Sequence, residues 1–86
     1  MTSDFKKYYI ALPKREETVV NTIIANELSD IENYSTKQYL LKDMTQEQIA
    51  LDLNISQATV NRAIDRAKKK IYNYMKYVEI FKSLKE

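Results

Sequence analysis

The stretch Thr45–Lys70, TQEQIALDLNISQATVNRAIDRAKKK, decides how the chain is read. Ile49, Ala50 and Leu53 fall at helical spacing before a short polar break, and Val60, Ala63 and Ile64 resume that spacing after it. Thr45 opens Thr-Gln-Glu-Gln, a capping box in which the Gln48 side chain reaches back to the helix start. Asn54 stands where a tight reversal needs a residue that accepts positive φ, and asparagine is the best substitute for glycine there. Ile55 then plugs the turn into the core and Ser56 caps the next helix. Ala50 is small where two helices cross closely. Together these features predict a helix-turn-helix core over 45–70.

The opposite side of the second helix carries the chemistry. With Val60 pointing inward, a rotation of about 100° per residue turns Ala58, Asn61, Arg62, Asp65, Arg66 and Lys69 outward, with Gln57 and Thr59 on the flanks. Arg62 suits a bidentate contact with guanine, and Asn61 or Gln57 one with adenine. Ala58 allows close approach and can meet a thymine methyl. Ser56 and Gln57 lie at a helix N-terminus, where free N–H groups favour phosphate. Lys68, Lys69, Lys70 and Arg66 are expected on phosphates, setting affinity and salt dependence but not sequence preference. The competing reading is two amphipathic helices that pack for stability alone. A merely solvated face tends to mix Glu with Lys, whereas here Asp65 is the only acid between Ser56 and Glu79.

Charge is placed to match. Residues 1–55 carry six Lys/Arg against nine Asp/Glu, a net of −3, and residues 56–86 carry eight against three, a net of +5. Such a basic half suits an anionic partner, nucleic acid first, although a solvated lysine face would look the same from charge alone. The 86 residues contain no cysteine, no histidine and no glycine, and one proline. Disulfides, thiolate or imidazole metal sites, nucleophile–histidine catalysis and Gly-rich phosphate loops are therefore excluded. No carboxylate pair sits beside a nucleophile, so neither an enzyme nor a cofactor is expected. No apolar run approaches the roughly 20 residues that span a bilayer, and no secretory signal is visible, so the expected setting is cytoplasmic, away from membranes.

Outward from the core motif, Phe5, Tyr8, Tyr9 and Leu12 fit a short helix or an extended segment, ended by Pro13. Val20, Ile23, Ile24, Leu28 and Ile31 predict a helix from about Pro13 to Glu32, with Asn33 as its breaker. Ser35 then opens Ser-Thr-Lys-Gln, which reads as a capping box closed by Gln38, for a short helix ending near Asp43. On the far side, no glycine or proline interrupts the chain from Gln57 to its end. Val60, Ile64, Ala67, Ile71, Tyr74, Val78 and Phe81 alternate four and three apart, a heptad seam of about three repeats. The C-terminal segment 71–84 could fold back onto the N-terminal helices or pair with a second copy. In the pairing arrangement, a homodimer, Ile71, Tyr74, Met75, Val78 and Phe81 would form the contact. The interleaved tyrosines and lysines could also stack on single-stranded bases, but a packing seam already accounts for their spacing.

Two segments carry a family likeness. LPKREETVV (residues 12–20) followed by MTQEQIALDLNISQATVNRAIDRAKKKI (residues 44–71) resembles region 4 of sigma-70-type factors and the related sigma-like regulators of phages and mobile elements. The family pattern runs T-x-E-E-I-A-x-x-L-x-I-S-x-x-T-V-x-R-x-x-x-R-A-x-K-K-L. The likeness is loose over 12–17 and close over 44–71. It implies a DNA-binding domain of three or four helices in which Gln57, Thr59, Asn61 and Arg62 read bases. The segment between Arg15 and Thr45 is longer than the family usually has, and there is no room for a region 2 core. The expectation is a free-standing regulator, not a complete sigma factor, with RNA polymerase contact the weakest of the partner expectations.

The sequence thus predicts an all-α protein, a small helical bundle containing a helix-turn-helix with a long C-terminal helix, forming one domain over 1–86. The expected function is sequence-specific binding of double-stranded DNA in transcription regulation, with the helix 57–70 in the major groove. A small terminase-like packaging or replication accessory subunit and a helical interaction module such as an anti-repressor are the alternatives.

Overall fold

In a computed structural model that describes residues 2–85, five helices form: α1 (Thr2–Ile10), α2 (Lys14–Glu27), α3 (Asp30–Leu40), α4 (Gln46–Leu53) and α5 (Gln57–Lys85). The all-α expectation holds, and α5 is the long C-terminal helix. At 29 residues it spans about 43 Å at a rise of ~1.5 Å per residue. That is most of the 48 Å long axis of a molecule only 21 × 20 Å across. α5 is the spine. Each of the other four helices packs on it, α3 most extensively.

The core lies along one side of that spine. Val60, Ala63, Ile64, Ala67, Ile71 and Met75 of α5 are buried against Phe5 and Tyr9 of α1, Val20, Ile23 and Ile24 of α2, Tyr39 and Leu40 of α3, and Ile49 and Ala50 of α4. The N-terminal helix is held by aromatic edges: Phe5 and Tyr8 both meet the Tyr72 ring edge-on, at 6.0 Å and 4.8 Å between centroids. The Tyr9 hydroxyl donates to Asn21 Oδ1 at 2.8 Å, tying α1 to α2.

The predicted 13–32 helix is in fact two. Leu28 adopts extended backbone (φ −103°, ψ 148°), and Ser29 caps a new helix. Its Oγ accepts from the Glu32 N–H, and the Glu32 carboxylate accepts from the Ser29 N–H at 3.1 Å. Ser29-Asp30-Ile31-Glu32 is thus the working capping box, with an acid at its third helical position. Ser35, expected to be a cap, lies inside α3 with Thr36, both fully buried where α3 meets its neighbours. Neither hydroxyl finds a hydrogen-bond partner among the described residues. Asn33, expected to end a helix, sits in the first turns of α3, and its Nδ2 donates to the Ile24 carbonyl at 2.8 Å, satisfying a group near the end of α2.

The C-terminal seam also departs from the heptad. Core contact passes from Ile71 to Met75, not to Tyr74, and then to the partly buried Val78. A straight α-helix gains on a 3.5-residue repeat by roughly 20° per heptad, so the core-facing position slips by one residue. Ile71 and Met75, expected at a dimer contact, are consequently closed off inside the chain's own core. Tyr74 is 42% exposed and Phe81 63%. The helix folds back as far as Val78, and beyond it Ile80, Phe81 and Leu84 stand in solvent.

Candidate nucleic-acid interface

The site is assembled by α4, the turn after it and the first half of α5. Thr45 Oγ1 accepts from the Gln48 N–H at 3.1 Å and the Gln48 side chain accepts from the Thr45 N–H at 2.9 Å, so the expected box starts α4. Asn54 ends it in the left-handed region at φ 57°, ψ 45°. The Ile55 N–H donates back to the Ala50 carbonyl at 3.0 Å, closing the end of α4 as the chain reverses. Ser56 Oγ accepts from the Thr59 N–H at 3.1 Å, capping α5. Of the predicted inner-face residues, Ile49, Ala50, Val60 and Ala63 are buried. Leu53 and Ile55 are half-buried, lining an apolar groove with Ile31 and Tyr34.

The outward residues separate by their surroundings. Ser56, Gln57, Ala58, Asn61, Arg62, Arg66, Lys69 and Lys70 are exposed, whereas Thr59, Asp65 and Lys68 are half-buried. Thr59 Oγ1 lies 2.7 Å from Ser56 Oγ, so this hydroxyl belongs to the cap of α5. Gln57 and Asn61 border a shallow groove shared with Thr45 and Gln46 at the start of α4, Tyr39 of α3 and Lys6 of α1. The Lys6 ammonium pairs with the Asp43 carboxylate and lies 5.0 Å from the centre of the Tyr39 ring. Arg62 stands in solvent with no ion pair among the described residues.

The remaining cations are paired in two different ways. Lys68 and Lys69 each reach the Asp65 carboxylate at 3.6 Å within their own helix, a surface arrangement worth a few tenths of a kcal/mol. Arg66 and Lys70 instead converge on Glu32 of α3: Arg66 Nε to Oε2 at 3.1 Å, Lys70 Nζ to Oε1 at 2.7 Å. Glu32 is only 3% exposed. Burial alone would push its carboxyl upward. Hydrogen bonds from Lys70, from the Ser29 N–H and from Arg66 outweigh that and hold it at about 2. This clamp is absent from the predicted site. Its local signal was present in Ser-x-x-Glu, but its partners lie 34 and 38 residues further along the chain.

An αL reversal between a capped short helix and a longer helix with an outward polar-basic face is the geometry of a helix-turn-helix. Residues 39–71 match the family described as Sigma-70, region 4, so this segment is similar to the helix-turn-helix of that family. The match takes in the end of α3, all of α4 and α5 as far as Ile71. No curated protein and no solved structure matches the chain. Among the described residues, no helix is long and apolar enough to cross a membrane.

Proposed function

We propose that this chain is a sequence-specific, double-stranded-DNA-binding transcription regulator of the sigma-like kind found in phages and mobile elements. It forms one domain over 1–86 and works in the cytoplasm. The N-terminal half of α5 enters the major groove. Arg62 reads guanine, Asn61 and Gln57 read adenine, and Ala58 permits the close approach. Lys69 and the N-terminus of α5 at Ser56 and Gln57 meet phosphate, which fixes register on the duplex.

The observation that carries this reading is the exposure of Gln57, Ala58, Asn61, Arg62 and Lys69 on one helix, directly after the left-handed turn at Asn54. Selection of bound duplexes from a random pool tests it. Enrichment of a defined motif is the expected result, and a pool that stays random after repeated rounds refutes it.

The same reading includes a homodimer, with a revised contact. Tyr74, Tyr77, Ile80, Phe81 and Leu84 are all exposed on the last part of α5, and contiguous apolar surface of this kind marks association sites. A palindromic selected motif, together with a mass that doubles with concentration in sedimentation, is the expected signature. Two half-sites one or more helical turns apart would then match the two recognition helices.

A further inference from the structure

A helix in the major groove offers DNA only the side chains on one side of its axis. Residues nine apart on an α-helix point in opposite directions, since nine steps of about 100° leave a net rotation of about 180°. Gln57 and Arg66 are nine apart, and so are Asn61 and Lys70. When Gln57 and Asn61 face bases, Lys70 turns away from them toward α3; Arg66, one turn beyond Arg62 on the same side of the helix, is drawn toward α3 by its hydrogen bond to Glu32.

The two pairs of cations also differ in how readily they can be recruited by phosphate. Lys69 is 76% exposed in its side chain and is held only by the half-exposed Asp65 at 3.6 Å. A phosphate that captures it leaves Asp65 in water at little cost. Arg66 and Lys70 are held by a carboxylate whose side chain is 5% exposed, and that carboxylate has three donors: Lys70 and the Ser29 N–H on Oε1, Arg66 on Oε2. Drawing both cations away would strand a buried charge, which is strongly unfavourable.

We propose that Glu32 is a positioning residue for DNA binding, an internal anion that occupies Arg66 and Lys70 in place of phosphate and leaves the grip on the duplex to Arg62 and Lys69. It rests on the DNA-binding reading above. Two of the basic residues in the match to the sigma-like pattern are thereby assigned to fixing α5 on α3 and not to contacting DNA. Glu32 thereby lowers the phosphate-borne part of the affinity for preferred and arbitrary sequences alike.

The test is the salt dependence of binding to a short duplex of mixed sequence, for the full chain and its variants. Each phosphate contact contributes about 0.9 to the slope of log K against log[salt]. Lys69→Ala should flatten the slope by about 0.9, whereas the double variant Arg66→Ala/Lys70→Ala should leave it unchanged. Glu32→Gln should steepen it by about 0.9 to 1.8 as one or both cations turn to phosphate. Adding Arg66→Ala and Lys70→Ala to Glu32→Gln should return the slope to its original value, a reversal that a purely structural role would not produce. A double variant whose slope falls by about 1.8 overturns the proposal, because both cations then already sit on phosphates. A folded Glu32→Gln chain with an unchanged slope overturns it too. If Glu32→Gln or the double variant, which strands the buried carboxylate, fails to fold, the triple variant decides: a slope about 1.8 shallower than that of the wild type overturns the proposal. Wild-type chain that binds no duplex at any salt refutes the DNA-binding reading itself, a result distinct from a wild type that binds while its variants miss these slopes.

Discussion

The two halves of α5 are one uninterrupted helix with opposite economies of surface. From Gln57 to Ile71 its inner side is sealed by α3 and α4, and its outer side is polar and basic. From Tyr72 onward the backing thins to α1 and α2, and large apolar side chains come to the outside. Helix propensity is not what separates them, since neither half contains glycine or proline. The difference lies in what each half leans on. Packing against α3 and α4 fixes the orientation of a reading face, whereas a helix end with little behind it keeps its apolar surface available.

The sharpest way to break this contrast is Val60→Asp. Val60 is fully buried, and an unpaired carboxylate there should cost about 4 kcal/mol or more, enough to unfold a chain of this size. Loss of the helical circular-dichroism signal at neutral pH is the expected outcome.

Acid should attack the first half next. Glu32 is held at about 2, below its ordinary 4.5. Its ionised form therefore stabilises the fold fully above about pH 4.5, and that contribution, on the order of 3 kcal/mol, drains away as pH falls toward 2. Urea midpoints measured across this window should fall for the wild type, and the part due to Glu32 should vanish in Glu32→Gln.

Arg62→Ala leaves the fold alone and should cost about 1–3 kcal/mol of binding at one base position, relaxing preference there. Competition among singly altered duplexes reads this directly, and intact preference would remove Arg62 from the groove. Ser35→Ala works in the other direction. Removing an unpartnered buried hydroxyl in α3 should stabilise the chain by about 1 kcal/mol, visible as a raised melting temperature. Smallest is Phe81→Ser in the second half: at concentrations where the chain is monomeric it should change stability by less than about 0.5 kcal/mol. A larger loss would mean that the end of α5 is packed after all.

Legibility in the sequence followed the range of the interactions. The α4–turn–α5 unit was readable because its signals are local: a capping box at Thr45, asparagine at the reversal, serine at the next cap and apolar spacing on both sides. The α2–α3 boundary was hidden because Val20, Ile23, Ile24, Leu28 and Ile31 keep one apolar period through it, which masks the Ser29–Glu32 box that the structure reveals. The choice of Met75 over Tyr74 depends on how a long helix drifts across its neighbours, which a heptad template does not describe. The Glu32 clamp required knowing that α3 lies on α5, and no spacing rule within either segment supplies that.

Both reversals at positive φ, Asp43 and Asn54, are made without glycine, at φ 57° each. An ordinary side chain in this region costs about 1–2 kcal/mol, and aspartate and asparagine tolerate it better than most. The denatured chain feels the same choice with the opposite sign. Without glycine's freedom, each of these positions has fewer disordered conformations to give up when the chain folds, a gain of roughly 0.4–1 kcal/mol apiece. A polypeptide too short for a large core thus recovers, in what it would otherwise lose on ordering, part of the strain that its two corners impose.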